Sequence, residues 1–404
     1  MNIAWLKAEY LFPLDSGPKT RTYNLLKRLY TAQAVTYLGF TPVTQETARA
    51  LLSECTVEQI LQYRSAPPTT GIGFYLRVAA NVFSSRPYFV SRNRSRELLS
   101  QIAQLVTSRK CDILVCDSLD MALNVDFSLG LPKVLFHPSV ETSLWRQRYE
   151  TAGDRVRRAY FNFETKRMAA FEGEICNRFD LIIVASEPDR DELTSRFGVR
   201  KPIEVIPTGV DCDYFRPVER PVPMAKRLMF SGSLDLLSNV DQLLWFAAEI
   251  YPLIRRRHPD ISLEIVGRSP TSELRALARA DHSITVTGWV KDIRTHLQQA
   301  DVYIVPLRVP GGVRVKLYEA MASRCPVVST SHGVDGLQLT AGRDFVLAES
   351  PREFADAVCM LLENPARKEA IAEQGYRTVN ETCDWSASAA TFADVLERAV
   401  AQKR

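Results

Sequence analysis

The chain has 404 residues, 46% hydrophobic and 24% charged, with a formal net charge of +4, a balance ordinary for a globular enzyme of two or three domains. It contains no run of about 18 apolar residues, and MNIAWLKAEYLF lacks the basic-then-apolar order of a signal peptide, so a cytoplasmic protein without a membrane span is expected. The eight cysteines form no C-x-x-C pair and have no histidine at zinc spacing, which predicts reduced, mostly buried thiols.

In chain order, NIAWLKA (2–8), AVTYLGF (34–40), CDILVCD (111–117), KVLFHP (133–138) and LIIVAS (181–186) read as strands between longer amphipathic stretches. That is the pattern of one doubly wound α/β domain, placed at 1–200. After the first strand, Gly17 and Lys19 bring a glycine and a cation to the start of the helix TRTYNLLKRL. The turn lacks G-x-G-x-x-G, which argues against a dinucleotide-binding dehydrogenase. Asp117 and Glu141 are strand-end carboxylates that either orient an acceptor hydroxyl or play a helix-capping or structural role, and His137 is either a proton-handling group or a satisfied loop histidine. Residues 201–226 include RPVERPVPMAKR, rich in proline and charge and without periodicity, and read as an interdomain linker.

A second series fills 227–383: RLMFSGS (227–233), SLEIVGR (262–268), SITVTGW (283–289), VYIVPL (302–307), PVVST (326–330) and DFVLA (344–348). The tail 384–404 reads as a helix. Gly232 and Ser233 end the first of these strands, Arg268 the second and Trp289 with Val290 the third. Beyond VYIVPL, Gly311, Gly312, Val313 and Arg314 lead into a helix that carries Lys316 and Glu319. Glycines admit a close backbone approach, and the first amides of a helix attract an anion. Spacings of four and three put Gly312, Lys316 and Glu319 on one face. Donors and a cation suit a diphosphate, and a carboxylate suits a ribose diol. A Lys–Glu surface pair on a solvated helix is the alternative. Peptide groups at Trp289–Val290 are expected to read the edge of a base and Arg268 to reach base or phosphate, with a core aromatic and a surface arginine as the alternatives.

Taken together, LDSGPKTRTYNLLKRL (14–29), VIPTGVDCDYF (205–215), FSGSLDLLSNVDQLLWF (230–246), EIVGR (264–268), VTGWVKDI (286–293), PGGVRVKLYEAMASRCPVVST (310–330) and HGVDGL (332–337) resemble the retaining glycosyltransferases of family 4. The resemblance covers nearly the whole chain and is closest to a branch linked to bacterial exopolysaccharide and surface-sugar assembly. It implies the GT-B fold: two facing Rossmann-like domains, donor in the C-terminal half and acceptor in the N-terminal half, with the tail helix crossing back onto the first domain. It also implies transfer from a UDP- or GDP-sugar to a glycan, lipid-linked or small-molecule hydroxyl, with Gly17 and Lys19 beside the diphosphate. Three motifs depart from the family pattern. Ser233 and Asn239 stand where an arginine and a lysine are usual. Gly311 replaces the first of two glutamates eight residues apart, Glu319 being the second, so backbone amides of Gly311–Val313 take over part of its task. Pro138 and Ser139 occupy a His-Asn pair, with His137 one step early.

No D-x-D pair stands at a strand end to hold a divalent ion, so metal-independent chemistry without a cofactor is expected, helix amides and cations neutralising the leaving diphosphate. Residues 1–200 hold 26 Lys and Arg against 21 Asp and Glu, concentrated in RPYFVSRNRSR (86–96) and WRQRYETAGDRVRR (145–158). These are solvated faces or a contact for an anionic membrane surface or a lipid diphosphate. No motif supports nucleic acid. The alternatives to a transferase are a noncatalytic sugar-nucleotide-binding scaffold and a GT-B epimerase or phosphorylase.

Overall fold

The computed structural model describes residues 1–14, 16–56, 58–63, 71–217, 226–309 and 315–403. Strands β1 (Asn2–Lys7), β2 (Ala34–Thr41), β3 (Glu58–Tyr63), β4 (Ile113–Asp117), β5 (Lys133–Phe136), β6 (Leu181–Val184) and β7 (Ile203–Val205) form one parallel sheet in the order β3-β2-β1-β4-β5-β6-β7. Strands β8 (Arg227–Ser231), β9 (Ser262–Val266), β10 (Ile284–Gly288), β11 (Val302–Val305), β12 (Val327–Ser329) and β13 (Val346–Leu347) form another, in the order β10-β9-β8-β11-β12-β13. Each sheet is doubly wound: strand order reverses between β1 and β4, and again between β8 and β11. In open α/β sheets the crevice outside the carboxyl ends of the strands at such a reversal is the ligand position.

Central strands such as LIIV (β6) and ILVCD (β4) are apolar throughout because helices cover both faces. Alternation along β8 sends Leu228 and Phe230 into one core with Leu243, Phe246 and Phe354, and Met229 into another with Leu317, Met321 and Phe345. All eight cysteines are free and buried, as the scattered spacing predicts.

The chain divides into a first unit, Met1–Pro207 with Ser388–Arg404, and a second, Thr208–Ala387. This moves the boundaries read from sequence. Ile203–Val205 lies within the expected linker 201–226 yet forms β7, and Val210, Cys212 and Phe215 from the same stretch pack in the second unit's core. A three-residue edge strand and a few isolated apolar residues carry no periodicity to read. β3, EQILQY, is likewise an edge strand with polar residues, the pattern that sheet edges tolerate. The helix Trp385–Lys403 begins in the second unit, where Asp384 bridges Val210, and ends in the first, where Phe392 packs on Trp5 and Phe136 and Lys403 pairs with Asp180.

Candidate functional site

In the second unit the helix Val315–Ala322 follows β11. Lys316, half exposed, donates to both oxygens of the nearly buried Glu319, at 3.0 and 2.9 Å. The two residues therefore do share a face, and they hold each other. Gly311, Gly312, Val313 and Arg314 lie outside the described residues. At the end of β8, Gly232 and Gly267 meet closely: a Cβ on Gly267 would stand 1.7 Å from the Gly232 carbonyl oxygen, so only glycine fits. Arg268 Nε donates to Ser233 Oγ at 3.2 Å, and Asn239 Nδ2 to the Ser233 carbonyl at 2.9 Å. Ser233 and Asn239 thus build this loop, and Arg268 is tied to it rather than standing as a bare surface cation. Gly288 takes φ +77° and the β9–β10 register shifts beside it. Trp289 then points outward, 70% exposed, which excludes the core-aromatic alternative, while Val290 packs partly buried against the core.

In the first unit the helix Gly17–Leu29 starts at Gly17 with Pro18 behind it, and a Cβ on Gly17 would meet nothing within 4 Å among the described residues. Lys19 Nζ reaches the Pro13 carbonyl at 3.4 Å. Asp117, at the end of β4, has its Oδ2 filled by Trp5 Nε1 at 3.1 Å, Thr22 Oγ1 at 2.6 Å and Lys7 Nζ at 3.2 Å. Three buried donors make it an anchor between β1, β4 and the first helix, so the hydroxyl-orienting role read for it does not fit. Ser118 follows with φ +83°, a conformation costly for a residue with a side chain, and leads to Asp120. That carboxylate takes Asn93 Nδ2 at 3.0 Å on Oδ2, leaves Oδ1 buried without a partner among the described residues, and is pushed by burial up to about 6.

His137 follows β5 and is fully buried. Its Nε2 lies 2.6 Å from Glu172 Oε1, and its Nδ1 has no hydrogen-bond partner among the described residues. Burial lowers its basicity, but the bond to Glu172 and the charges of Glu172, Glu141 and Asp189 outweigh this and raise it. Glu141 opens the helix Glu141–Thr151, and burial pushes its carboxyl up to about 7 against the pull of His137. Arg21 lies buried 5.0 Å over the Phe136 ring, its basicity reduced by burial to about 10 in spite of Asp117 and Asp189.

Sequence reading missed Glu172, Asp120 and Arg21. For two of them a signal existed: Met168, Phe171, Glu172, Ile175 and Cys176 lie on one buried helical stripe, as do Thr22, Leu25, Leu26 and Leu29 beside Arg21. A charge on an apolar stripe demands a partner. One group of metal-ligand types converges among the described residues: His258, Cys359 and Glu363, within 4.8 Å of one another. Lys226 Nζ sits 2.8 Å from His258 Nδ1, which puts the ring proton on Nε2, and Arg257 pairs with Glu363. Lys226 and Arg257 thus already engage His258 and Glu363, while His258 Nε2 makes no hydrogen bond among the described residues.

A family described as Glycosyltransferase Family 4 matches residues 39–214, and one described as Glycosyl transferases group 1 matches 225–364. The chain belongs to glycosyltransferase family 4. Among relatives of this family 4 chain, the GDP-mannose-dependent alpha-(1-6)-phosphatidylinositol monomannoside mannosyltransferase of Mycobacterium tuberculosis is 30% identical over 237 residues, 54% of this chain and 61% of that protein. The match thus spans less than two thirds of that relative's length. An uncharacterised 44.6 kDa protein from the cps region of Klebsiella pneumoniae is 20% identical over 353 residues, 81% of this chain and 88% of its own. The Anabaena protein HepE, crystallised with UDP, superposes with TM-score 0.69 at 14% identity, covering 98% of this chain and all of that one. The sucrose-phosphate synthase of Thermosynechococcus elongatus superposes with TM-score 0.67 at 17% identity, covering 99% of both. These likenesses, with the two doubly wound sheets, make the fold GT-B.

Proposed function

We propose that this chain moves a sugar from a UDP- or GDP-sugar to a hydroxyl of a glycan, lipid-linked or small-molecule acceptor, with retention and without a metal ion. The observation that carries the reading is the Lys316–Glu319 pair on the helix after β11, beside the strand-order reversal of the second sheet. A diphosphate takes Lys316 from Glu319 and frees that carboxylate for a ribose diol. Relatives supply the substrate class: the mycobacterial mannosyltransferase is GDP-mannose-dependent, and HepE was crystallised with UDP and with UDP-glucose.

A panel of UDP- and GDP-sugars, scored for nucleotide release with and without EDTA, tests this. Turnover that survives EDTA is expected; turnover that returns only with Mg²⁺ or Mn²⁺ would overturn the metal-free reading, and nucleotide binding without turnover would favour a scaffold. Lys316→Ala should weaken UDP or GDP binding tenfold or more, about 1.5–3 kcal/mol for a charge-assisted contact. Glu319→Gln should weaken the nucleoside diphosphate more than free phosphate. Unchanged affinity in both variants by calorimetry would place the donor elsewhere.

No helix among the described residues is long and apolar enough to cross a membrane. A cytoplasmic, peripheral location on the inner membrane face, reaching a lipid-linked acceptor, fits the basic first unit. Tyr88 and Phe89 are half-buried, Phe89 against Trp145 and Arg92, so they do not serve as headgroup anchors. Arg86, Arg94 and Arg96 remain exposed, and Leu76 and Phe83 are exposed apolar residues of the same unit. Cosedimentation with anionic vesicles at low salt, lost at high salt and absent with neutral vesicles, is the expected result; equal partitioning onto both favours a soluble acceptor.

A further inference from the structure

We infer that Glu172 is a positioning residue: it fixes His137 with the proton on Nε2 and so presents Nδ1, buried and without a partner, as the acceptor for a hydroxyl of the bound carbohydrate. The inference deepens the proposed transfer reaction and rests on it only for the identity of that hydroxyl's owner.

The helix Glu141–Thr151 begins after Val140 with no side-chain cap of its own. Its first free N–H groups are met instead by Glu172, from near the C-terminal end of the helix Arg155–Cys176. The Glu141 N–H donates to Oε1 and the Thr142 N–H to Oε2, each at 2.9 Å, and the Thr142 hydroxyl also donates to Oε2. A carboxylate at a helix start is favoured electrostatically, and these bonds together with His137 hold the Glu172 carboxyl below its ordinary value despite burial. An ionised carboxylate only accepts, so the nitrogen 2.6 Å from Oε1 must be the donor. In neutral His137 this leaves the lone pair on Nδ1. The His137 backbone N–H is bonded to the Ile183 carbonyl of β6 at 2.7 Å, which fixes where the ring starts. Ring and helix start are therefore set by one side chain.

The charged groups facing His137 are Glu172, Glu141 and Asp189, one from each of the helices Arg155–Cys176, Glu141–Thr151 and Glu187–Phe197. All three favour the imidazolium form, in which Nδ1 has no lone pair. Turnover that depends on Nδ1 as acceptor must rise with pH as His137 deprotonates.

The test uses the full chain labelled with ¹⁵N-histidine, the His137 signal being assigned by its absence in His137→Asn. At pH 8.5 the wild type should show Nε2 protonated and Nδ1 bare. Glu172→Gln should mix the two tautomers and move both the His137 titration and the acid limb of turnover to lower pH by about one unit. Thr142→Val, which removes one donor from Oε2 and leaves Oε1 alone, should lower stability without moving the titration. That separates capping from positioning. An Nδ1-protonated wild type overturns the inference even if Glu172→Gln fails to fold, as does a folded Glu172→Gln with an unchanged tautomer and acid limb. Correct tautomer and titration with no turnover of any nucleotide sugar would instead count against the transfer reaction.

Discussion

The two sheets share an order and differ at their strand ends. Around β1, β4 and β5 the ends are dry and carboxylate-rich, with Asp117, Asp120, His137 and Glu172 each tied into a buried network. Around β8, β9, β10 and β11 they are open and sparsely paired, with Trp289 outward, Lys316 half in solvent and the close Gly232–Gly267 approach setting the loop. One scaffold thus carries two kinds of strand end: buried, mutually paired carboxylates in the first unit, and in the second a glycine-shaped loop near the exposed Lys316. Removing a paired carboxylate of the first unit should cost fold, whereas removing the exposed Lys316 should cost ligand.

Asp117→Ala should break the comparison most forcefully. It leaves Lys7, Trp5 Nε1 and Thr22 buried without their shared acceptor, a loss of about 3–5 kcal/mol. Hydrogen exchange should accelerate in β1 and β4 and stay unchanged in β8–β12; acceleration in both sheets would mean the units do not respond separately. Gly267→Ala is the counterpart in the second unit, overpacked against backbone by about 3 kcal/mol, with loosening confined to β8 and β9. Gly17→Ala is its contrast in the first unit, since the added Cβ meets open space. It should shift stability by under about 1 kcal/mol yet reduce turnover if a diphosphate approaches that backbone.

A pH effect sharpens the picture at smaller scale. Burial lifts the Glu141 carboxyl from 4.5 to about 7, so between those values the folded chain binds the extra proton. Its contribution to stability is full below about pH 4.5 and is lost as pH climbs through 7. Asp120, lifted from 3.8 to about 6, acts in the same sense. Glu141→Gln should therefore gain about 1–2 kcal/mol relative to wild type between pH 5 and 8. A constant offset across that range in urea titrations would show that the half-buried carboxyl titrates normally.

The parallel sheets were legible because central strands such as LIIV and VYIV are apolar on both faces and recur between amphipathic stretches. The edges were not, since EQILQY and IEV carry no such run. In the site, Lys316 and Glu319 were legible because a helix converts spacing into a shared face. Glu172 was not, because its partners His137 and Thr142 are brought to it by the crossing of two helices and a strand. Local spacing records nothing of such a crossing; only the charge on an apolar stripe hints that a partner exists. Asp117 misled for the related reason that a strand-end carboxylate looks alike in sequence whether it faces a ligand or a buried lysine.

The tail helix has a consequence for how the protein is made. The chain passes from one unit to the other at 207–208 and returns at 387–388, so the first unit is not a continuous stretch of sequence. During synthesis N-terminal domains ordinarily fold first. Here Trp5 and Phe136 wait for Phe392, which is translated only after the whole second unit. The first unit is begun before the second and completed after it, and a fragment cut at the first boundary would present its closing surface bare.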